Sequence, residues 1–318
     1  MTYLGSEAAL FVERTACPLC HSVDLIAIFA SGYESSDMRQ FLEFEQTFGG
    51  SFWGEYERGL FNGYVFKVVK CRTCDFLFQS SVLNDAGMKL LYDKWVDPQA
   101  TLERHQRRDL TFKRSVGYSQ RLNIVIKHFS GVERPEMLDW GSGFGDFCVM
   151  AKSYGVDIAA LEFSEERASH LESRGIRIVT PDGLKEKHYH FINLDQVLEH
   201  VTEPVALLRQ IRHYLRDDGI LCVSTPRCVH IEKNLKTGML TQRVFDCLSM
   251  QHINAFTNKS LKKACKAAGF SVLFTVNPQP VAFSRCNWRR SVAESLKNVG
   301  RPFSQYFTGT SFFLQKQI

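Results

Sequence analysis

The chain has 318 residues, of which 44% are hydrophobic and 23% charged, with a formal net charge of +5. This is the composition of a soluble globular protein with room for two domains. The charge is too small for this length to indicate nucleic acid, and no apolar run reaches the length of a membrane span. The start, Met1-Thr2-Tyr3-Leu4-Gly5-Ser6-Glu7, lacks the charged head and apolar core of a signal peptide, so the expected compartment is cytoplasmic.

Two cysteine pairs come first, Cys17-Pro18-Leu19-Cys20 and Cys71-Arg72-Thr73-Cys74. Two residues between cysteines let both thiolates of one tight turn face a single ion. Two such turns make a closed tetrahedral zinc site of four thiolates, structural because no coordination position is left for a substrate. In a reducing compartment this reading outranks disulfides. The stretch between the pairs is longer than a zinc ribbon needs and reads as an insertion over residues 31–62. The other six cysteines, Cys148, Cys222, Cys228, Cys247, Cys265 and Cys286, show no pairing in their spacing. A strand follows Cys74, a short helix carries Leu90 and Leu91, and Asp97-Pro98 marks a boundary. Residues 1–98 are therefore expected to form a zinc-binding module, and residues 99–318 a second domain.

The second domain opens with an amphipathic helix over residues 109–129, with Phe112, Val116, Leu122, Val125, Ile126 and Phe129 on one face. Strand and helix then alternate. Strands are expected at 137–139, 156–161, 176–179, 191–194 and 220–223, and a helix with Val205, Leu208, Ile211 and Leu215 stops at Asp217-Asp218-Gly219. A helix over 259–268 and two strands at 270–276 and 311–315 follow, with a basic helical insert at 287–299. Such alternation argues a doubly wound parallel sheet with helices on both faces, of the Rossmann-like α/β class. Ligands of such sheets bind outside the carboxyl ends of the strands.

The stretch Met137-Leu138-Asp139-Trp140-Gly141-Ser142-Gly143-Phe144-Gly145-Asp146 is a strand, a glycine turn and a helix start. A dinucleotide fingerprint would need glycine at position 146, which is Asp146. The pattern here is acid-x-G-x-G-x-G. An acid before the turn repels a pyrophosphate and suits a ligand with a cationic amine.

This stretch resembles the cofactor motif of the class I S-adenosylmethionine-dependent methyltransferases. The likeness continues in Glu162 at the end of the next strand, in Leu194-Asp195-Gln196-Val197-Leu198-Glu199-His200-Val201, and in Leu215-Arg216-Asp217-Asp218-Gly219-Ile220-Leu221. It covers roughly residues 135–275. By resemblance, S-adenosylmethionine lies along Asp139, Gly141, Ser142 and Gly143. Glu162 takes the ribose diol with Phe163 beside it, Asp182 is a candidate for the adenine side, and Asp195 and Gln196 line the methionine end. The segment Gln251-His252-Ile253-Asn254-Ala255-Phe256-Thr257 resembles a stretch near the substrate in zinc-containing sugar carbon-methyltransferases, with Gln251 where those enzymes have glutamate. His252 and His200 are the candidate general bases, needed where the acceptor holds a tightly bound proton.

The expected activity is methyl transfer to a small molecule, such as a sugar, nucleotide-sugar or related metabolite. The alternative is an RNA methyltransferase whose zinc module grips nucleic acid. The stretch around the cysteine pairs is not especially basic, and it interleaves aromatics with glutamate, which favours the first reading. Neither the acceptor atom nor the oligomeric state is specified by these motifs.

Overall fold

A computed structural model describes residues 10–44, 59–96, 101–103, 106, 108–238, 240, 242–276 and 309–317. In chain order the strands are β1 (Phe11–Glu13), β2 (Leu25–Gly32), β3 (Val65–Cys71), β4 (Leu77–Gln79), β5 (Ser81–Leu83), β6 (Met137–Trp140), β7 (Ile158–Leu161), β8 (Arg177–Ile178), β9 (Tyr189–Asp195), β10 (Leu215–Pro226), β11 (Asn254–Ala255), β12 (Phe270–Val276) and β13 (Gly309–Lys316). The helices are α1 (Ser36–Phe44), α2 (Asp85–Leu90), α3 (Arg108–His128), α4 (Asp146–Ser153), α5 (Glu165–Ser173), α6 (Pro204–Tyr214), α7 (Ile231–Lys236), α8 (Gln242–Cys247) and α9 (Asn258–Ala267). No helix among the described residues is long and apolar enough to cross a membrane. The expected boundary at Asp97-Pro98 and the basic insert at 287–299 lie outside the described residues.

The chain forms two compact units. The first comprises Met1–Arg107, Leu198–Leu208 and Cys228–Ala268; the second comprises Arg108–Val197, Arg209–Arg227 and Gly269–Ile318. Where the sequence suggests one cut near residue 98, packing draws two later segments into the first unit. The reason is visible in its sheet, ordered β11-β4-β3-β2, in which Asn254 and Ala255 pair with Phe78 and Leu77. Its core gathers Tyr33, Phe41, Phe61, Phe66 and Trp95 with Ile231, Leu235, Val244 and Leu248 from the later segments. Cys228 and Cys247, unpaired by spacing, are neighbours there with hydrogen-bonded thiols.

The second unit holds a seven-stranded sheet ordered β12-β13-β10-β9-β6-β7-β8. β6, β7, β8, β9 and β10 run parallel, and β13 is antiparallel to both β10 and β12. Every residue of β6 and β7 is buried, the pattern of central strands covered on both faces. The core includes Leu122 and Val125 of α3 with Met137, Phe147, Phe191, Cys222 and Phe313. The chain runs outward from β6 through β7 to β8 and then returns to β9 on the other side of β6. The carboxyl ends of β6 and β9 therefore flank the switch point where such sheets bind ligands. One expectation is corrected here. Asp217-Asp218-Gly219 does not lie in a turn ahead of the fifth strand: β10 begins at Leu215, and its register against β9 shifts between Leu215 and Ile220, so these residues form an irregularity within the strand.

Candidate functional site

The glycine turn follows β6 directly. Gly141, Gly143 and Gly145 have φ of 71°, 58° and 75°, a left-handed path that side chains strain to adopt. A Cβ on Gly141 would come within 2.9 Å of Val197, and one on Gly145 would collide with Leu171. At Gly143 a Cβ would meet nothing within 4 Å, so the space beside the turn is open. The turn is fixed by N–H donation from Gly141 and Ser142 to the Leu161 carbonyl at 2.8 and 3.3 Å. The buried Ser142 hydroxyl has no hydrogen-bond partner among the described residues.

Glu162 ends β7 and reaches back to this turn. One carboxylate oxygen accepts from Gly143 N–H at 2.7 Å, and the other accepts from Phe163 and Ser164 N–H at 3.0 Å each. Phe163 is 67% exposed, a large apolar ring beside a carboxylate. Asp182 lies on the exposed turn Pro181–Gly183 after β8, and among the described residues no hydrogen bond links it to the others.

Beneath the turn runs a buried polar chain. Asp139 is 3% exposed. Its carboxylate accepts from Asn193 Nδ2 at 2.6 Å and from the Cys148 thiol at 3.4 Å. Asn193 Oδ1 in turn accepts from Arg121 Nη1 at 2.5 Å. The Arg121 guanidinium also lies 3.5 Å from the Asp195 carboxylate, and it donates to Ser311 Oγ at 3.2 Å. Ser224 donates to Asp195 as well. Burial alone would lower the Arg121 pKa, and the Asp195 charge beside it more than reverses that. Burial pushes Asp139 up to about 6, against the pull of its Asn193 and Cys148 hydrogen bonds. Gln196, the residue after β9, has a φ of 57°, uncommon for a side-chain-bearing residue, and its N–H donates to the Ser224 carbonyl at 2.9 Å.

Sequence reasoning missed Arg121, Asn193 and Ser224. Arg121 follows the apolar stripe of α3 as one more charged residue, and only the strand ends opposite it show that it is buried. The available signal was its position one residue before Leu122, on the face that packs.

In the first unit the four predicted cysteines come together. The Cys17–Cys74 and Cys20–Cys71 sulfur distances are both 3.5 Å, and all four sulfurs lie within 4.8 Å of one another. Tetrahedral thiolates around zinc at 2.3 Å have edges of about 3.8 Å, so the set fits the ion. The two turns are built alike. His21 N–H donates to Cys17 O at 2.8 Å and Asp75 N–H to Cys71 O at 2.9 Å, and His21 and Asp75 have φ of 57° and 65°. Burial raises the Cys74 thiol to about 11; at Cys71 burial is outweighed by turn N–H and thiol hydrogen bonds, which bring it down to about 7.

The predicted catalytic residues also belong to the first unit. The rings of His200 and His252 meet with centroids 4.6 Å apart at 81°. Burial lowers His252 to about 4, so it is neutral at neutral pH.

The sequence matches the family described as "Methyltransferase domain" over residues 113–274, half of the chain. The chain belongs to that family. Residues 113–274 thus form a methyltransferase domain, built on the parallel sheet of the second unit. A ubiquinone biosynthesis O-methyltransferase from Aliivibrio fischeri is 23% identical over 128 residues, covering 37% of this methyltransferase and 53% of the relative. The chain thus spans about half the length of the curated relatives it matches. Among solved structures, a plantazolicin methyltransferase aligns with a TM-score of 0.48 at 14% identity, over 72% of this chain and 94% of that one. An S-adenosylmethionine-dependent methyltransferase from Mesorhizobium loti aligns with a TM-score of 0.40 at 15% identity, over 57% of this chain and 91% of that one.

Proposed function

We propose that this methyltransferase acts on a small molecule, such as a sugar, nucleotide-sugar or related metabolite, and that its cofactor lies over the ends of β6, β7 and β9. The observation that carries the cofactor placement is the open glycine turn with its orphaned Ser142 hydroxyl, closed on one side by Glu162. Bound S-adenosylmethionine supplies an activated methyl group and a neutral leaving group. The chain's own residues hold and orient it. Glu162 offers its carboxylate to the ribose diol, and the Phe163 ring offers a face to the adenine. The turn from Gly141 to Gly143, with the Asp139 charge behind it, suits the ammonium of the methionine end. Asp195 and Gln196 border that end from β9.

A small-molecule acceptor accords with the Aliivibrio relative, a ubiquinone biosynthesis O-methyltransferase. The same reading assigns a structural zinc ion to Cys17, Cys20, Cys71 and Cys74, where four closed ligands shape the first unit and leave no site for chemistry.

The test is titration calorimetry with S-adenosylmethionine and its demethylated product. Glu162→Ala removes charge-assisted hydrogen bonds worth about 1.5–3 kcal/mol each, so Kd is expected to rise on the order of 100-fold. An unchanged Kd would displace the cofactor from this turn. Activity against a panel of nucleotide-sugars and small phenols, with none against RNA, is the expected acceptor profile.

A further inference from the structure

Two imidazoles and one carboxylate of the first unit face a common point. Glu199 and His200 are consecutive residues of the segment Leu198–Leu208, and His252 comes from the turn between α8 and β11. One donor atom from each lies within 4.8 Å of the others. Glu199 is fully buried, which strengthens any interaction of its carboxylate with a cation.

The two segments are fastened side by side. Ile253 and Asn254 donate their N–H groups to the Glu199 carbonyl at 2.8 and 3.2 Å. The buried Asn254 side chain donates to the carbonyls of Leu198 and Val201 at 3.0 and 2.6 Å, and accepts from Arg14 at 3.0 Å. Gln79 Nε2 donates to the carbonyls of Ser249 and His252 at 2.6 and 2.8 Å, and the Ser249 hydroxyl accepts the His252 N–H at 3.1 Å.

The His252 ring has a defined tautomer. Its Nδ1 lies 2.9 Å from the Asp246 carbonyl oxygen, which can only accept. Nδ1 therefore carries the proton, and Nε2 carries the lone pair. Metal-binding imidazoles show this arrangement, one nitrogen tied to a carbonyl or carboxylate and the other turned to the ion.

The geometry points to a second metal site, in which Glu199, His200 and His252 bind one divalent transition ion of the zinc, cobalt or iron(II) class. Imidazole with carboxylate favours these ions over calcium and magnesium, which take oxygen ligands. Three protein ligands leave a position for water or for an oxygen donor. The site shares no ligand with the four-cysteine cluster and does not depend on where the methyl acceptor binds. Metal binding and general-base chemistry draw on the same lone pairs, so an ion held here takes His200 and His252 out of the general-base role.

The test uses the full chain, stripped of metal by chelation under reducing conditions and titrated with cobalt(II). Native mass spectrometry counts the ions, and absorption reports the ligands. The expected result is two ions per chain. One gives thiolate-to-cobalt charge-transfer bands, and the other gives only the weaker visible bands of nitrogen and oxygen ligation. Glu199→Gln and His252→Gln should each weaken the second ion by at least about 100-fold while leaving the thiolate bands in place. One ion per wild-type chain, with thiolate bands only, overturns the proposal. So does a second ion held with unchanged affinity in both variants. If either variant fails to fold by circular dichroism, the wild-type count and His200→Asn decide by the same criteria.

Discussion

The two units of this chain present ligands in opposite ways. In the sheet unit the proposed cofactor surface centres on backbone: Gly141, Ser142 and Gly143 form a turn whose side chains contribute one hydroxyl, and the side chains of Glu162, Phe163 and Asp195 border it. In the other unit the proposed metal ligands are side chains, four thiols and a carboxylate with two imidazoles, on turns that hold them close. The turn at the centre of the first arrangement is written in one continuous stretch of sequence and stabilised from below by burial. The second is assembled from three separated segments and has a small aromatic core of its own. Local spacing therefore suffices to specify a backbone site, while a side-chain site also needs tertiary packing to bring its donors together.

The largest expected effect tests whether the units stand apart energetically. Chelating the proposed zinc ion, or substituting Cys71→Ser, should abolish the cooperative fold of the cysteine-bearing unit, because a structural zinc ion contributes about 10 kcal/mol or more. Hydrogen exchange should show lost protection in Val65–Cys71 and retained protection in Ile158–Leu161. Equal loss in both strands would break the comparison.

A smaller effect probes the polar chain beneath the glycine turn. Arg121→Met leaves Asp195, whose side chain is 19% exposed, without its cation and the buried Asn193 Oδ1 without its donor, and should cost about 2–4 kcal/mol in urea unfolding. Adding Asp195→Asn to that variant should recover part of the loss, because the partly buried charge is then gone. A loss of under about 1 kcal/mol for Arg121→Met alone would mean that the strand ends do not depend on the ion pair.

The smallest effect is one of pH. Asp139 titrates near 6 in the fold against 3.8 for an ordinary aspartate, so the native state binds its proton more tightly than the unfolded chain. Its ionisation therefore opposes folding. The penalty is absent below about pH 4, grows as pH rises through 6, and reaches about 3 kcal/mol above that. The stability of wild type relative to Asp139→Asn should fall across this window and level off above it. A difference independent of pH would place the carboxylate in contact with water.

What was legible follows the same division. The glycine turn, Glu162 after the next strand, the alternation of β6 to β10 and the two cysteine turns could be read directly, because each is a short-range pattern of residue types. Arg121 could not, since a charge on an amphipathic helix reads as solvated until Asn193, Asp195 and Ser311 are seen around it. Asp217-Asp218-Gly219 reads as a turn, yet the ladder with β9 resumes at Ile220 and absorbs it as a shift of register. Nor does anything near Phe78 announce that its strand partner is Asn254. Pairing between distant strands depends on edges left open by the rest of the fold, and these leave little local trace.

That last pairing has a consequence for how the protein is made. The cysteine turns and strands β2 to β4 emerge early in synthesis, but the strand that borders β4 begins at Asn254, 175 residues after Gln79. At about 5–20 residues per second, the ribosome takes roughly 9–35 s to deliver it. Throughout that interval the edge of β4 is uncovered, and the glycine-turn sheet is being synthesised in the meantime. Any ion captured early by the four thiols would hold an unfinished sheet in place until its border arrives.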